Sequence, residues 1–303
     1  MWAIQSFLLP EGLVIALTDP QRPGWGMING LPRIAIAMTA AEYLVAVETF
    51  RTVFGMHVND MSDRTVPELG AHVGMCQPLG GSNVELMAPS DPDAPLSLAL
   101  NRFLDRRGTG LYALMLEADD PNAEADELAL RGMNVLPLMT GATGRDLHPS
   151  STHGVLMRVY PTGSVSQPDE PTAEAPRLSG IVRVIMATDD ASVAAKAYSH
   201  GLGLDVTHAE PDAERGVLVA SATAAWGAAI ELVSPLDESR PFAAAVASHL
   251  RDKGQGMVAL VLSADAPAYS AQLLAARGLD SDLHGPFGAE VTAFGTRFVI
   301  AAN

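Results

Sequence analysis

The sequence predicts an α+β chain built as a tandem repeat, each copy assembled from paired βαβββ modules. Three observations predict it. Residues 83–121 are matched without a gap by 229–267 at an offset of 146, so that Glu85 meets Glu231, Pro89 meets Pro235, Gly110 meets Gly256 and Ala113 meets Ala259. Self-similarity at a fixed offset is the signature of a repeated structural unit. Within each copy, short apolar runs of strand rhythm alternate with segments of helical period. Between the copies, PTGSVSQPDEPTAEAPRL at 161–178 carries four prolines and is acidic, the composition of an exposed linker.

Copy one is read in chain order. A strand at 33–38 leads to a helix near 40–54, where Tyr43, Val47, Phe50 and Phe54 recur at helical spacing and Gly55 closes the helix. Strand segments follow at 56–60, 71–77 and 82–87, with Gly80–Gly81 as a hairpin turn. The second module has a helix near 95–106 before it. It then runs through a strand at 111–117, a helix at 121–131 ending at Gly132, and strands at 133–139 and 154–160. Copy two repeats the order: Arg33 meets Arg183 at an offset of 150, and VFGMHV meets GLGLDV at 148. The expected division is an N-terminal arm at 1–30, a first domain at 31–160, the linker at 161–178 and a second domain at 179–303.

The chain has 303 residues, enough for two domains that each bury a core. Its net charge of −16 argues against a nucleic-acid partner, since no Lys/Arg cluster could cover a phosphate backbone. Cys76 is the only cysteine, which excludes an intrachain disulfide and a cysteine-based zinc site; its apolar flanks in VGMCQP point to a buried strand thiol rather than a nucleophile. The apolar N-terminus lacks a basic region and a small-residue cleavage site, and Pro10–Glu11 interrupt it. It is read as an arm, with GLVIAL as an added strand, and the expected location is the cytoplasm. No membrane partner is expected, and the chain is expected to be a monomer with an internal pseudo-dimer, or a homodimer.

The motifs RIAIAM, FGMHV, NVELMAP, FLDRRGTGLYALMLEADDP and DLHPSSTHGVLMRV resemble the vicinal oxygen chelate superfamily of glyoxalases, bleomycin-resistance proteins and methylmalonyl-CoA-epimerase-like proteins. RVIMAT, GLGLDV, AIELVSP and HLRDKGQGMVALVLSADAP repeat the resemblance in copy two. It covers about 31–160 and 179–302. The resemblance implies that each pair of modules curls an eight-stranded sheet into an open cup. In metal-using members four side chains on the cup floor hold a divalent ion. Those positions fall on Arg33, Glu85, Ala113 and Arg158 in copy one, and on Arg183, Glu231, Ala259 and Val299 in copy two. Arginine has no lone pair to give a cation, and one carboxylate per cup is too few protein ligands for a divalent ion. Hence neither a metal nor another cofactor is expected.

Two readings of the replacements stay open. Arg33–Glu85 and Arg183–Glu231 are internal ion pairs standing where the metal stood, or they serve a ligand. In the second reading Arg33 and Arg158 against Glu85 leave surplus positive charge in cup one for a carboxylate, phosphate or enolate. Glu85 and His148 are then the candidate proton-transfer residues, with Arg33, Tyr112, His153 and Arg158 as ligand-binding residues; His148 and His153 lie near Arg145 and Asp146 at the rim. His72 and His249 are read as structural or surface residues. The functional expectation is a metal-independent isomerase, lyase or cyclase of the superfamily, acting on a small organic acid or polyketide-like ligand. The partner is thus a small molecule that is anionic or carries a carbonyl. The alternative is a non-catalytic protein that sequesters such a ligand, and the less favoured reading is a metal-dependent epimerase or glyoxalase.

Overall fold

The computed structural model describes residues 28–62, 69–165 and 178–302. The expected GLVIAL strand and most of the linker lie outside the described residues. Copy one runs β1 (Ile28–Ala37), α1 (Ala40–Thr52), β2 (His57–Asp60), β3 (Ala71–Gln77), β4 (Asn83–Pro89), α2 (Pro95–Arg107), β5 (Gly110–Ala118), α3 (Pro121–Leu130), β6 (Arg145–Leu147) and β7 (Leu156–Pro161). Local chemistry sets the helix ends. Thr39 and Glu42 form a reciprocal capping box on α1, Asp120 caps α3, and α2 starts on Pro95 and stops at Gly108.

Copy two runs β8 (Leu178–Ala187), α4 (Ala191–Lys196), β9 (Asp205–Val206), β10 (Glu210–Asp212), β11 (Val217–Thr223), β12 (Trp226–Gly227) and β13 (Ala229–Pro235). It continues through α5 (Pro241–Lys253), β14 (Gly256–Ala264), α6 (Pro267–Ala276), β15 (Asp280–Gly285), β16 (Gly288–Ala293) and β17 (Thr296–Ala301). One sheet has the order β2-β3-β4-β1-β5-β7-β6 and the other β10-β11-β13-β8-β14-β17-β16-β15. In both, the first strands of the two modules, β1 with β5 and β8 with β14, pair antiparallel at the centre.

One expected strand is missing. Of 133–139 only Val135 pairs, as a single bridge to Leu147, and the ladder stops at Pro137, which has no N–H to donate. Copy two, with no proline between Leu279 and Gly285, builds the full strand β15 at that place.

Strand alternation divides the apolar residues between two faces. Ile34, Ile36, Leu86, Leu114 and Leu116 face α1 and α3 in a core continuous with that of copy two. On the opposite face, expected to form the cup, Ala35, Ala37, Met87, Ala113 and Met115 pack against Leu96 and Leu100 of α2. Copy two matches this with Ile185, Val233 and Val261 against Phe242 and Val246 of α5.

The copies meet back to back along a pseudo-twofold seam. Gly154 (φ 88°) would bring a Cβ to 2.1 Å from the Gln255 carbonyl, and Gly295 (φ 63°) to 1.9 Å from that of Thr109. Thr109 and Gln255 are themselves related by the offset of 146, so the seam repeats one close backbone approach and needs glycine on each side. β12 also reaches across, pairing Trp226 with Gly30 of β1.

Candidate functional site

The four positions singled out in cup one come together. Arg33 lies opposite Asn83 on β4, Arg158 opposite Met115 on β5, and Ala113 opposite Ala35 of β1. Arg33 Nε donates to Glu85 Oε2 at 2.7 Å, with both side chains 6% exposed. Its guanidinium sits 4.2 Å from the centre of the Tyr160 ring, and Nη1 donates to Ser164 Oγ at 3.0 Å. Burial works against the Arg33 charge, but Glu85 and Tyr160 outweigh it and raise its pKa.

Arg158 is not the surplus charge expected from sequence. It makes a fork-to-fork pair with Asp146, its cross-strand neighbour on β6, donating through Nη2 at 2.7 Å and also through Nε. Glu117, fully buried on β5, accepts from the Ser164 backbone N–H and hydroxyl at 2.9 and 2.7 Å. Cup one thus sets two arginines against three carboxylates. Asn83, also fully buried, has no partner for either amide atom, and Glu117 Oε2 has none.

In cup two, Glu231 accepts from Arg183 at 2.9 Å and from Arg215 at 2.7 Å, and Arg215 also holds Asp212 at 2.7 Å. Val299 occupies the register of Arg158, as expected, but Arg297 on the same strand pairs with Glu290 at 2.7 Å.

Residues 36–148 match the model of the Glyoxalase/Bleomycin resistance protein/Dioxygenase superfamily. Copy one is similar to that superfamily over this stretch. A triple mutant of 4-hydroxymandelate synthase from Streptomyces coelicolor is similar in fold at 16% identity and a TM-score of 0.57, covering 84% of this chain and 76% of that one. Methylmalonyl-CoA epimerase from Mycobacterium tuberculosis aligns at 25% identity over 45% of this chain and 91% of that one, with a TM-score of 0.36. The epimerase from Streptomyces coelicolor bound to 2-nitronate-propionyl-CoA aligns at 23% over 46% and 99%, also at 0.36. No curated protein matches. Both copies have the vicinal oxygen chelate fold.

The donor set does not fit the superfamily's metal ion. Each cup offers one carboxylate at the four positions, already bound to an arginine, and no group of three or more His, Cys, Asp or Glu side chains suited to a metal occurs among the described residues.

The remaining expected site residues have partners outside the Arg33–Glu85 pair. His148 caps the short 3-10 turn at Pro149–Ser151, its Nδ1 accepting from the Ser150 N–H at 3.1 Å. His153 is pinned at the seam, 2.9 Å from Gln255 Oε1. Tyr112 packs against Phe103 of α2 at 5.1 Å between ring centres, and burial pushes its hydroxyl up to about 12. Cys76 is fully buried, which pushes its thiol up.

Two clefts open along the seam, outside the Arg33–Glu85 and Arg183–Glu231 pairs. The first, about 380 Å3, is lined by Arg102, Arg106 and Arg107 of α2 together with Tyr112, His148 and Met257. These arginines are exposed and make no ion pair among the described residues. Asp105, the one acid of α2, does not line the cleft. The second, about 430 Å3, lies at the places the offset of 146 relates to the first: Ala245, His249, Lys253 and Met257 stand for Ala99, Phe103, Arg107 and Leu111. Arg107 lines both. The reading from sequence missed the α2 arginines. The signal for them was RFLDRR at 102–107, three cations within six positions of an otherwise acidic chain.

Proposed function

We propose that the chain is a metal-independent binding member of its superfamily that holds a small anionic molecule in the first cleft. One contrast carries the reading. Each arginine placed on a cup face is paired with a carboxylate, whereas Arg102, Arg106 and Arg107 line an open cleft with none. In a chain of net charge −16, three unpaired guanidinium groups on one helix face favour an oxyanion, and arginine forks match carboxylate and phosphate geometry. Tyr112 and Met257 supply apolar surface beside them.

The enzymatic reading keeps one observation, that His148 and Tyr112 line the same cleft. Their chemistry favours orienting a ligand over moving a proton. With Nδ1 accepting from a backbone N–H, neutral His148 carries its proton on Nε2 and acts as a donor. Tyr112, at about 12, stays protonated at neutral pH. Glu85 is occupied by Arg33.

The test is calorimetric titration with malonate, inorganic phosphate and aromatic carboxylates. Binding that falls at least about tenfold in an Arg102→Gln, Arg106→Gln double variant supports the proposal, since two close charges are removed. Unchanged binding in that variant, or loss only on changing Arg33, would place the ligand in the cup instead.

A further inference from the structure

The second cleft carries a feature that its counterpart lacks. Where α2 places Phe103 against Tyr112, α5 places His249 beside Val258. The His249 Nε2 atom is buried and has no hydrogen-bond partner. A buried polar atom without a partner is costly and is rare in a group that serves packing alone. Around the imidazole the charges are unequal. Arg107 reaches it from α2, Lys253 and Asp252 from α5, and Arg297 from β17. Arg297 is neutralised by Glu290 of β16, and Asp252 accepts from the Ser248 hydroxyl at 3.2 Å. Arg107 and Lys253 make no ion pair among the described residues. The cleft is therefore lined by two cations without an ion pair, by the imidazole of His249 and by the hydroxyl side chain of Thr292.

We propose that this cleft is a second anion site, separate from the first, for a small molecule carrying a phosphate or carboxylate group. Arg107 and Lys253 supply the charge, and the His249 ring turns to bring its buried, unpartnered Nε2 to the oxyanion as donor. The surrounding field gives the site a built-in reporter. Burial first, then Lys253, Arg107 and Arg297, lower the His249 pKa to about 4, against the opposing pull of Asp252. A bound anion offsets those cations and favours the imidazolium, so the His249 pKa rises on binding and affinity increases as the pH falls toward 4.

The experiment is an NMR titration of His249 in the full chain with inorganic phosphate and, separately, malonate, each against sodium chloride of equal ionic strength. The expected result is an upward pKa shift of about one unit with at least one of the two oxyanions and none with chloride. Response to phosphate alone or to malonate alone assigns the headgroup; both outcomes support the site. Lys253→Gln, an exposed change with no ion pair to break, should weaken the response about fivefold. Arg102→Gln with Arg106→Gln should leave it intact, which separates this site from the first cleft. Chloride acting as strongly as the oxyanions, no shift with either, or full retention in Lys253→Gln would overturn the proposal.

Discussion

Arg158 and Arg297 stand at different registers of equivalent strands, one opposite Met115 of β5 and the other opposite Ala259 of β14. Each nevertheless closes on the acid at the same place of the neighbouring strand, Asp146 in β6 and Glu290 in β16. The repeat keeps the neutral pair and not the position of its cation. Solvent separates the cups further. Arg33 is 6% exposed and depends on Glu85, whereas Arg183 is 40% exposed and shares Glu231 with Arg215. Copy one also buries Asn83 and Glu117, where copy two has Ala229 and Ser263. Cup one is the drier of the two, and each of its arginines rests on a single carboxylate, so removing one charge there should cost more.

The largest expected effect breaks that balance. Glu85→Gln leaves Arg33 buried without its counter-charge and should lower stability by about 3–5 kcal/mol in urea unfolding. Glu231→Gln leaves Arg183 partly hydrated and Arg215 still on Asp212, and should cost about 1 kcal/mol. Equal losses would remove the distinction between the cups. Next comes Arg158→Met, which orphans the buried Asp146 and should cost about 3 kcal/mol. Arg297→Met, from a side chain 35% exposed, should cost about 1 kcal/mol by the same measurement.

Much of the architecture was legible because it was written twice. Gapless alignment at 146 put Glu85 and Glu231 in equivalent strands, and the strands carrying Arg33, Glu85 and Arg158 pair as expected. The partner of Arg158 was not legible. Asp146 could have been found only by counting back across the hairpin from β7 to β6, and the absent strand around Pro137 hid where that hairpin began. The filling of the cup faces by α2 and α5 was hidden for another reason. A helix with Leu96 and Leu100 at helical spacing shows that it buries a face, but not which surface it buries it against. The clefts depend on how the two copies pack, which no local pattern encodes.

The third effect concerns α5 against α2. The folded-state pKa of His249, about 4, lies below the ordinary value of 6.5. With the folded pKa depressed, the neutral ring's contribution is full above pH 6.5 and is lost as the pH falls through about 4, because the unfolded chain takes up the proton first. Allowing for the partial exposure of the ring, the loss should be about 1–2 kcal/mol. His249→Phe, which installs the residue of α2, should remove that part of the pH dependence. An unchanged stability profile between pH 7 and 4 in the variant would show that the imidazole feels no such field. Saturating phosphate should shrink the loss in the parent chain if the second cleft binds it.

The smallest expected effect decides what the Arg33–Glu85 pair is for. If it is a cross-link standing where the superfamily holds its metal, two well-packed apolar side chains can replace it, because the desolvation of two ions nearly cancels their attraction. Arg33→Met combined with Glu85→Leu removes both charges together. Ser164 keeps both of its hydrogen bonds to Glu117 in this variant, and Arg158 keeps Asp146, so no other buried charge loses its partner. Stability should then change by less than about 1 kcal/mol, against the several lost in Glu85→Gln alone. Anion binding in the first cleft should be unchanged, since neither residue lines it. A double variant as unstable as Glu85→Gln would mean that the pair contributes beyond charge balance, through the Tyr160 ring under Arg33 or the bond from Arg33 to Ser164. Loss of anion binding with stability intact would instead bring the ligand back to the cup.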